Sequence, residues 1–530
     1  MSGQRLLIIG LDAMDSELVR HWAMAGFLPA FRKLFESAAW TEYTHPLEYS
    51  SGTIWPSVNT GVSPLRHGFY SLFRFCEGTY RLRLARADDV RGDPFWKWFA
   101  RRGKRIVIAD VPFAIPKSEF GGKQFWGWNQ HDSWAWRRSS IPSDFLSGLS
   151  REFGPPLAKS CKDYPIRTRP LLQLKRALLE AIRRRTAMLK SLLLLPDWDL
   201  FYAAYTETHC AGHRMWHLGD ESHPQHSREQ LAVVGHGLRE VYQAIDQSLN
   251  ELLECADENT TSLIFLSHGM GPNFHAAHLF PEFLERFNRS WEEKMLHHFG
   301  RHGHDGWFES AWQKSVWRLP VSWRNRVKYL LPVRMREWLT LQRYQASRQW
   351  SRELSFSLPK DGFSAVRVNM ANREPDGRVQ HGAEYRSYTE SLLAELIQLT
   401  NAEHAQPVVD GIFRVDQQMN PARIGGGSDL VVWWKKQRPI NALHSPTLGL
   451  IERPQSGDHT GEHVMRGAMI VSHPKAERGE HTIPGMNIPD VTATICQLGG
   501  IRPESAIAGS SRCSQLLSET PSIGHVPGAD

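Results

Sequence analysis

Short apolar runs recur along the chain, each four to seven residues deep and closed by a polar or turn residue. The clearest are RLLIIGLD (5–12), KRIVIADVP (104–112), DLFYAAYTE (199–207), SLIFLSHGM (262–270) and SDLVVWW (428–434). Between them the apolar period changes to that of a helix, as in TRPLLQLKRALLEAIRRRTAMLKSLLL (168–194) and GLREVYQAIDQSLNELLE (237–254). This alternation predicts an α/β fold with a mainly parallel central sheet flanked by helices. Sheets of that kind bind ligands beyond the C-terminal ends of their strands. Asp12, Glu207 with His209, and His268 all stand at that address.

The pattern breaks between 281 and 358. That region is rich in Trp, His and Arg, lacks strand-like runs and reads as a helical insertion or cap. The expected organisation is therefore a discontinuous core, 1–280 and 359–515, with the insertion at 281–358 and a flexible tail at 516–530. Basic residues and tryptophans interleave from 307 to 352, which suits an anionic membrane surface or a lid over an anionic substrate; a packed cap with a solvated basic face is the plainer reading.

Composition narrows the class. The chain has 530 residues, 41% hydrophobic and 22% charged, the balance of a globular protein. Its net charge of +7 points to anionic partners, and no nucleic-acid module is recognisable. The six cysteines are scattered with no CxxC, so the sequence suggests neither a disulfide framework nor a thiolate metal site. The apolar run Leu6–Leu11 is too short for a signal-peptide core or a membrane span, and SLLLLP (191–196) is too short to span; a cytoplasmic location is expected.

The stretch YTETHCAGHRMWH (205–217) carries His209 and His213 at a spacing that lets two imidazoles share one metal on a helix face. Gly212 between them argues for a loop or turn there rather than a well-formed helix. Asp12 is either a hard cation ligand or the cap of a helix beginning near Ser16. EYSSGTIWPSVNTGVSPLRHG (48–68) places Ser50, Ser51 and Thr53 before a helix. A hydroxyl there can become a nucleophile beside a metal, or simply cap the helix. His268 follows a strand, His459 sits in the polar loop SGDHTGEH (456–463), and HHFGRHGHDG (297–306) reads as a surface loop.

Taken in order, these segments resemble the type I phosphodiesterase/nucleotide pyrophosphatase family of the alkaline phosphatase superfamily. GLDAMD resembles its first metal-binding Asp motif, and SSGTIWPSVNTGVSPLRHG its nucleophile motif. TETHCAGH resembles its ExDxxxH segment, LSHGMGP its SDHGMGP, and SGDHTGEHVMRGAMIV its last metal-His segment. RVNMANREPDGRV (367–379) resembles a further family segment with no assigned role. The likeness spans roughly 5–280 and 360–510. It selects Ser51, ten residues before Gly61, as nucleophile. Two positions depart from the pattern: His209 and Ser267 stand where the family usually has Asp. By carry-over, one metal would see His209, His213 and His459. The other would see Asp12, Ser51 and His268, with Glu207, Ser267 and Asp458 ligating weakly or supporting from behind. His217 is not expected to ligate.

The resemblance implies a metal-dependent hydrolase of phosphate esters acting through a phospho-Ser51 intermediate on an anionic substrate. One or two divalent ions are implied, zinc by the His-rich ligation, with manganese tolerated. The competing readings are a phosphotransferase or sulfatase-type enzyme, and a non-catalytic metal- or ligand-binding protein on the same fold, motivated by the two missing carboxylates.

Overall fold

The computed structural model describes residues 5–71, 73–129, 138–155, 157, 161–299, 335, 350–358, 362–419, 427–453 and 459–519. The chain divides into two compact units, 1–70 with 86–273 and 457–530, and 71–85 with 274–456. Residues 359–456, grouped with the core in the sequence reading, thus fall in the second unit.

The first unit is built on a nine-stranded sheet. In chain order its parts are β1 (Arg5–Leu11), α1 (Ser16–Met24), β2 (Ala39–Thr44), α2 (Ser51–Thr60), β3 (Ile106–Ala109), β4 (Lys123–Trp126) and β5 (Ser139–Ile141). There follow α3 (Thr168–Leu193), β6 (Leu200–Tyr205), α4 (Glu207–Gly219), α5 (Gly237–Glu254) and β7 (Thr260–Leu266). A short ribbon, β8 (Gly269–Pro272) with β9 (Gly461–Val464), precedes β10 (Arg466–Ser472), β11 (Gly479–Glu480) and α6 (Ile488–Leu498). The strand order is β11-β2-β10-β7-β1-β6-β3-β4-β5. The five strands from β7 to β4 run parallel, and β10 and β5 are antiparallel to their neighbours. The mainly parallel sheet expected from the sequence is present.

Strand alternation sends the side chains of β1 to two cores. Leu7, Ile9 and Leu11 pack with α1, α3 and α5. Leu6 and Ile8 pack with Ile54, Trp55 and Val58 of α2 and with α6. Burial on both faces explains why these strands read as continuous apolar runs.

The second unit holds a four-stranded antiparallel sheet, in the order 355–358, 363–368, 430–434, 409–414. SDLVVWW therefore belongs to this sheet and not to the parallel one. Arg367 and Arg373 pair with Glu374, and Arg373 with Asp429 at 2.8 Å, all buried. Within the RVNMANREPDGRV segment, Arg367, Arg373 and Glu374 thus supply a buried ionic cluster. Of the region 281–358, the helix Phe280–Phe299 opens it and the strand Ser355–Leu358, not foreseen there, closes it, with Trp350 buried and stacked on Phe356. HHFGRHGHDG beyond Phe299, and 307–349 apart from Met335, lie outside the described residues. The membrane-surface expectation gains no support. Among the described residues no helix is long and apolar enough to cross a membrane.

Candidate active site

The site lies where the parallel strands end. Asp12 follows β1 and is almost wholly buried. It does not cap α1: Asp15 does, accepting from the Leu18 amide at 3.1 Å and pairing with Arg466 at 2.7 Å. Asp12 instead accepts a hydrogen bond from Trp55 Nε1 at 2.7 Å. Gly10 makes this contact possible, since a Cβ there would lie 2.6 Å from the Trp55 ring. Trp55 is one turn along α2 from Ser51, so both lie on one side of that helix. Ser51 opens α2 and is half-buried. Thr53, the rival hydroxyl, is buried and occupied by the helix start: its Oγ1 accepts from the Ser50 amide and donates to the Ser50 carbonyl, both at 2.8 Å. Ser50 is the N-cap residue.

His209 and His213 lie on α4, which runs unbroken through Gly212. The loop expected there is not formed. Gly212 serves close packing instead, because a Cβ would stand 2.7 Å from Met270 Cγ of β8. On the other side, Gly461 of β9 has no room for a Cβ, which would meet the Gly212 carbonyl at 2.4 Å. The ribbon therefore presses directly against the helix, and its register pairs Met270 with His463.

That register brings in a residue the sequence reading did not select. The donor atoms of His209, His213 and His463 lie within 4.8 Å of one another. His463 Nε2 is 3.2 Å from His213 Nε2, and its Nδ1 is 2.9 Å from His268 Nε2. Ser267 Oγ is 3.0 Å from His268 Nδ1 and 3.4 Å from Asp12 Oδ1. Asp12, Ser267, His268, His463 and His213 thus form one continuous polar line. Its proton arrangement follows from its end. His213 Nδ1 must carry hydrogen to donate to the Gly461 carbonyl at 2.8 Å. Its Nε2 then accepts from His463 Nε2–H, leaving His463 Nδ1 to accept from His268 Nε2–H. Burial, followed by repulsion from His459, lowers the His213 pKa to about 4, which keeps its ring neutral at physiological pH.

The His459 ring lies tilted against His213 with ring centroids 4.1 Å apart, and His459 groups with His213 and Glu462. It neighbours the three-histidine cluster without joining the same triplet. The distinguishing signal lies in the segment SGDHTGEHVMRG: His463 is inside a strand paired to the one after His268, whereas His459 precedes that strand in a loop. Glu207 is taken up by other partners. Its carboxylate accepts from Asn129 Nδ2 at 2.9 Å, Arg185 Nε at 3.2 Å and the Thr206 amide at 3.0 Å. Arg185 also pairs with Asp110 at 3.0 Å, all three side chains being fully buried. Glu207 fixes the start of α4 and belongs to none of the potential metal groups among the described residues. His217 bonds Gln230 at 3.0 Å. Asp458 lies outside the described residues.

A mainly parallel sheet carries a hydroxyl at a helix start and an imidazole cluster at the strand ends. The model of the type I phosphodiesterase/nucleotide pyrophosphatase family matches residues 6–298, more than half of the chain, and the chain belongs to that family. It is accordingly an enzyme of phosphoric ester hydrolysis, in a family of metalloenzymes. Among solved structures, phosphonoacetate hydrolase from Sinorhizobium meliloti in complex with phosphonoformate is 13% identical, with a TM-score of 0.47 over 94% of this chain and 96% of the other. Murine ectonucleotide pyrophosphatase/phosphodiesterase 5 is 11% identical, with a TM-score of 0.49 over 97% of this chain and 100% of the other. No curated protein matches the chain in sequence.

Proposed function

We propose that the protein hydrolyses phosphodiesters or pyrophosphates in a divalent-metal-dependent reaction with Ser51 as nucleophile. The observation that carries this reading is the convergence of His209, His213 and His463 beside the Asp12–Ser267–His268 line. Three imidazoles, two of them buried, with donor atoms mutually within 4.8 Å suit a metal well. His209, His213 and His463 would hold one ion, with His459 and Glu462 at its flank. Asp12 and His268 form the remaining donor group, and Ser267 gives it one carboxylate fewer than the family pattern. The His-rich set favours zinc.

A bound ion supplies Lewis acidity, lowering the pKa of a hydroxyl beside it and offsetting negative charge on a phosphoryl group. The chain's own groups do the rest. Trp55 holds Asp12 in place through its indole N–H. The start of α2 presents Ser51 at the positive end of a helix, which favours an anionic phosphoryl group. Ser51 Oγ attacks phosphorus, the ester oxygen leaves, and a Ser51 phosphoester forms. Water then attacks that phosphorus, returns the Ser51 hydroxyl and releases the phosphoryl product.

The test is a rapid acid quench with bis(p-nitrophenyl) phosphate, followed by peptide mass spectrometry. A phosphoryl-ester adduct on the Ser51 peptide, absent in Ser51→Ala together with turnover, is expected. Undiminished turnover by Ser51→Ala would remove Ser51 from the mechanism.

A further inference from the structure

Cys161 and Cys210 are far apart in sequence and carry no thiolate-site spacing, yet the fold brings them together at the edge of the histidine cluster. Their Sγ atoms and a ring nitrogen of His209 lie within 4.8 Å of one another, and both cysteines are only 3% exposed. The placement is built rather than incidental. Cys210 is on α4 between His209 and His213. Cys161, on a short turn before α3, is fixed to the same helix by Arg214, whose buried Nε donates to the Cys161 carbonyl at 2.8 Å. One helix therefore presents Cys210, holds Cys161 against it, and directs His209 to both.

We propose that Cys161, Cys210 and His209 form a soft, sulfur-bearing metal-binding site beside the histidine cluster. Three overlapping donor triplets run side by side: Cys161–His209–Cys210, His209–His213–His463, and His213–His459–Glu462. His209 is common to the first two. A histidine at this position can serve a thiolate site as a borderline donor where a carboxylate would favour a hard ion. Two cysteines and one histidine with an open fourth position are a competent zinc ligand set. Binding sends the two thiol protons to solvent, and the two thiolate charges balance those of the ion. The ligand class is a soft or borderline divalent cation, zinc foremost, in preference to magnesium or manganese. This deepens the metal-dependent reading and rests on it.

The experiment is zinc K-edge X-ray absorption on the full-length protein, reduced and loaded with one equivalent of zinc. The expected result is a sulfur shell at about 2.3 Å beside nitrogen at about 2.0–2.1 Å. The shell disappears in Cys161→Ser/Cys210→Ser and survives in His463→Ala. Zinc bound through nitrogen and oxygen alone in the wild type would overturn the sulfur site and leave the histidine cluster standing. Failure to bind zinc at all would overturn both. Because the wild-type spectrum is itself decisive, a variant that fails to fold does not rescue the inference.

Discussion

At the scale of single residues, the site depends on side chains that do no chemistry. Trp55 makes the indole hydrogen bond to Asp12 at 2.7 Å, and Gly10 leaves room for it. Trp55→Phe keeps the ring and removes the donor. Groups that orient a ligand in this way are worth about 10–100-fold in activity or metal affinity. The expected result is a drop of that size in kcat/KM with an unchanged melting temperature; unchanged kinetics would show that Asp12 is positioned without the indole. His67, near the end of the nucleophile motif, is a second case. Its Nδ1 accepts from the Phe69 amide at 3.0 Å, so Nε2 carries the proton offered to Ser57 at 2.9 Å. Burial above all lowers its pKa to about 3. The unfolded chain protonates this ring near pH 6.5, whereas the native state resists protonation down to about pH 3. Unfolded protein therefore binds the extra proton in that window, and the His67 contribution falls by about 1.4 kcal/mol per pH unit as acid is added. Denaturant melts between pH 7 and pH 4 should show a shallower pH slope in His67→Gln than in wild type. Equal slopes would place the acid sensitivity elsewhere.

At the scale of elements, the decisive contact is the β8–β9 ribbon against α4. Gly212 and Gly461 let two backbones meet where any Cβ would collide. The obstacle at Gly461 is a backbone carbonyl, which cannot swing aside as a side chain can. Gly461→Ala is expected to cost about 1–3 kcal/mol of stability, as overpacked sites do. It should also separate His463 from His213, so that metal-dependent turnover is lost even under conditions where the variant remains folded. Wild-type turnover by folded Gly461→Ala would show that the ribbon does not set the cluster. The same contact explains what the sequence could and could not reveal. The hydrophobic period located β1, β3, β6 and β7 to within a few residues because these strands are buried on both faces. It misjudged α4, where glycine's low helix propensity is outweighed by the packing it permits. It could not locate His463 or pair Cys161 with Cys210, because both depend on register and on contacts distant in sequence. Asp12 and His268 were legible because a strand end is itself a sequence signal.

At the scale of the whole molecule, the first unit is held at its centre by a buried ionic cluster. Arg185 of α3 joins Asp110, just after β3, to Glu207 at the start of α4. Removing the guanidinium leaves two carboxylates without their buried counter-charge. Arg185→Ala is therefore expected to cost about 3–5 kcal/mol, measured by urea unfolding. A loss below about 1 kcal/mol would mean that water or rearrangement satisfies both acids. This cluster also accounts for the fate of Glu207, which its sequence position made a candidate ligand and which the fold commits to the scaffold.

The central claim is that the buried histidine cluster holds the ion on which ester hydrolysis depends. The most direct measurement titrates zinc into chelator-stripped protein while following both bound metal and bis(p-nitrophenyl) phosphate hydrolysis, in wild type and His463→Ala. The expected result is no turnover in the stripped enzyme, activity that rises in step with occupancy, and little activity in His463→Ala even where zinc is bound. Full turnover by stripped protein, or wild-type turnover by His463→Ala, would contradict it.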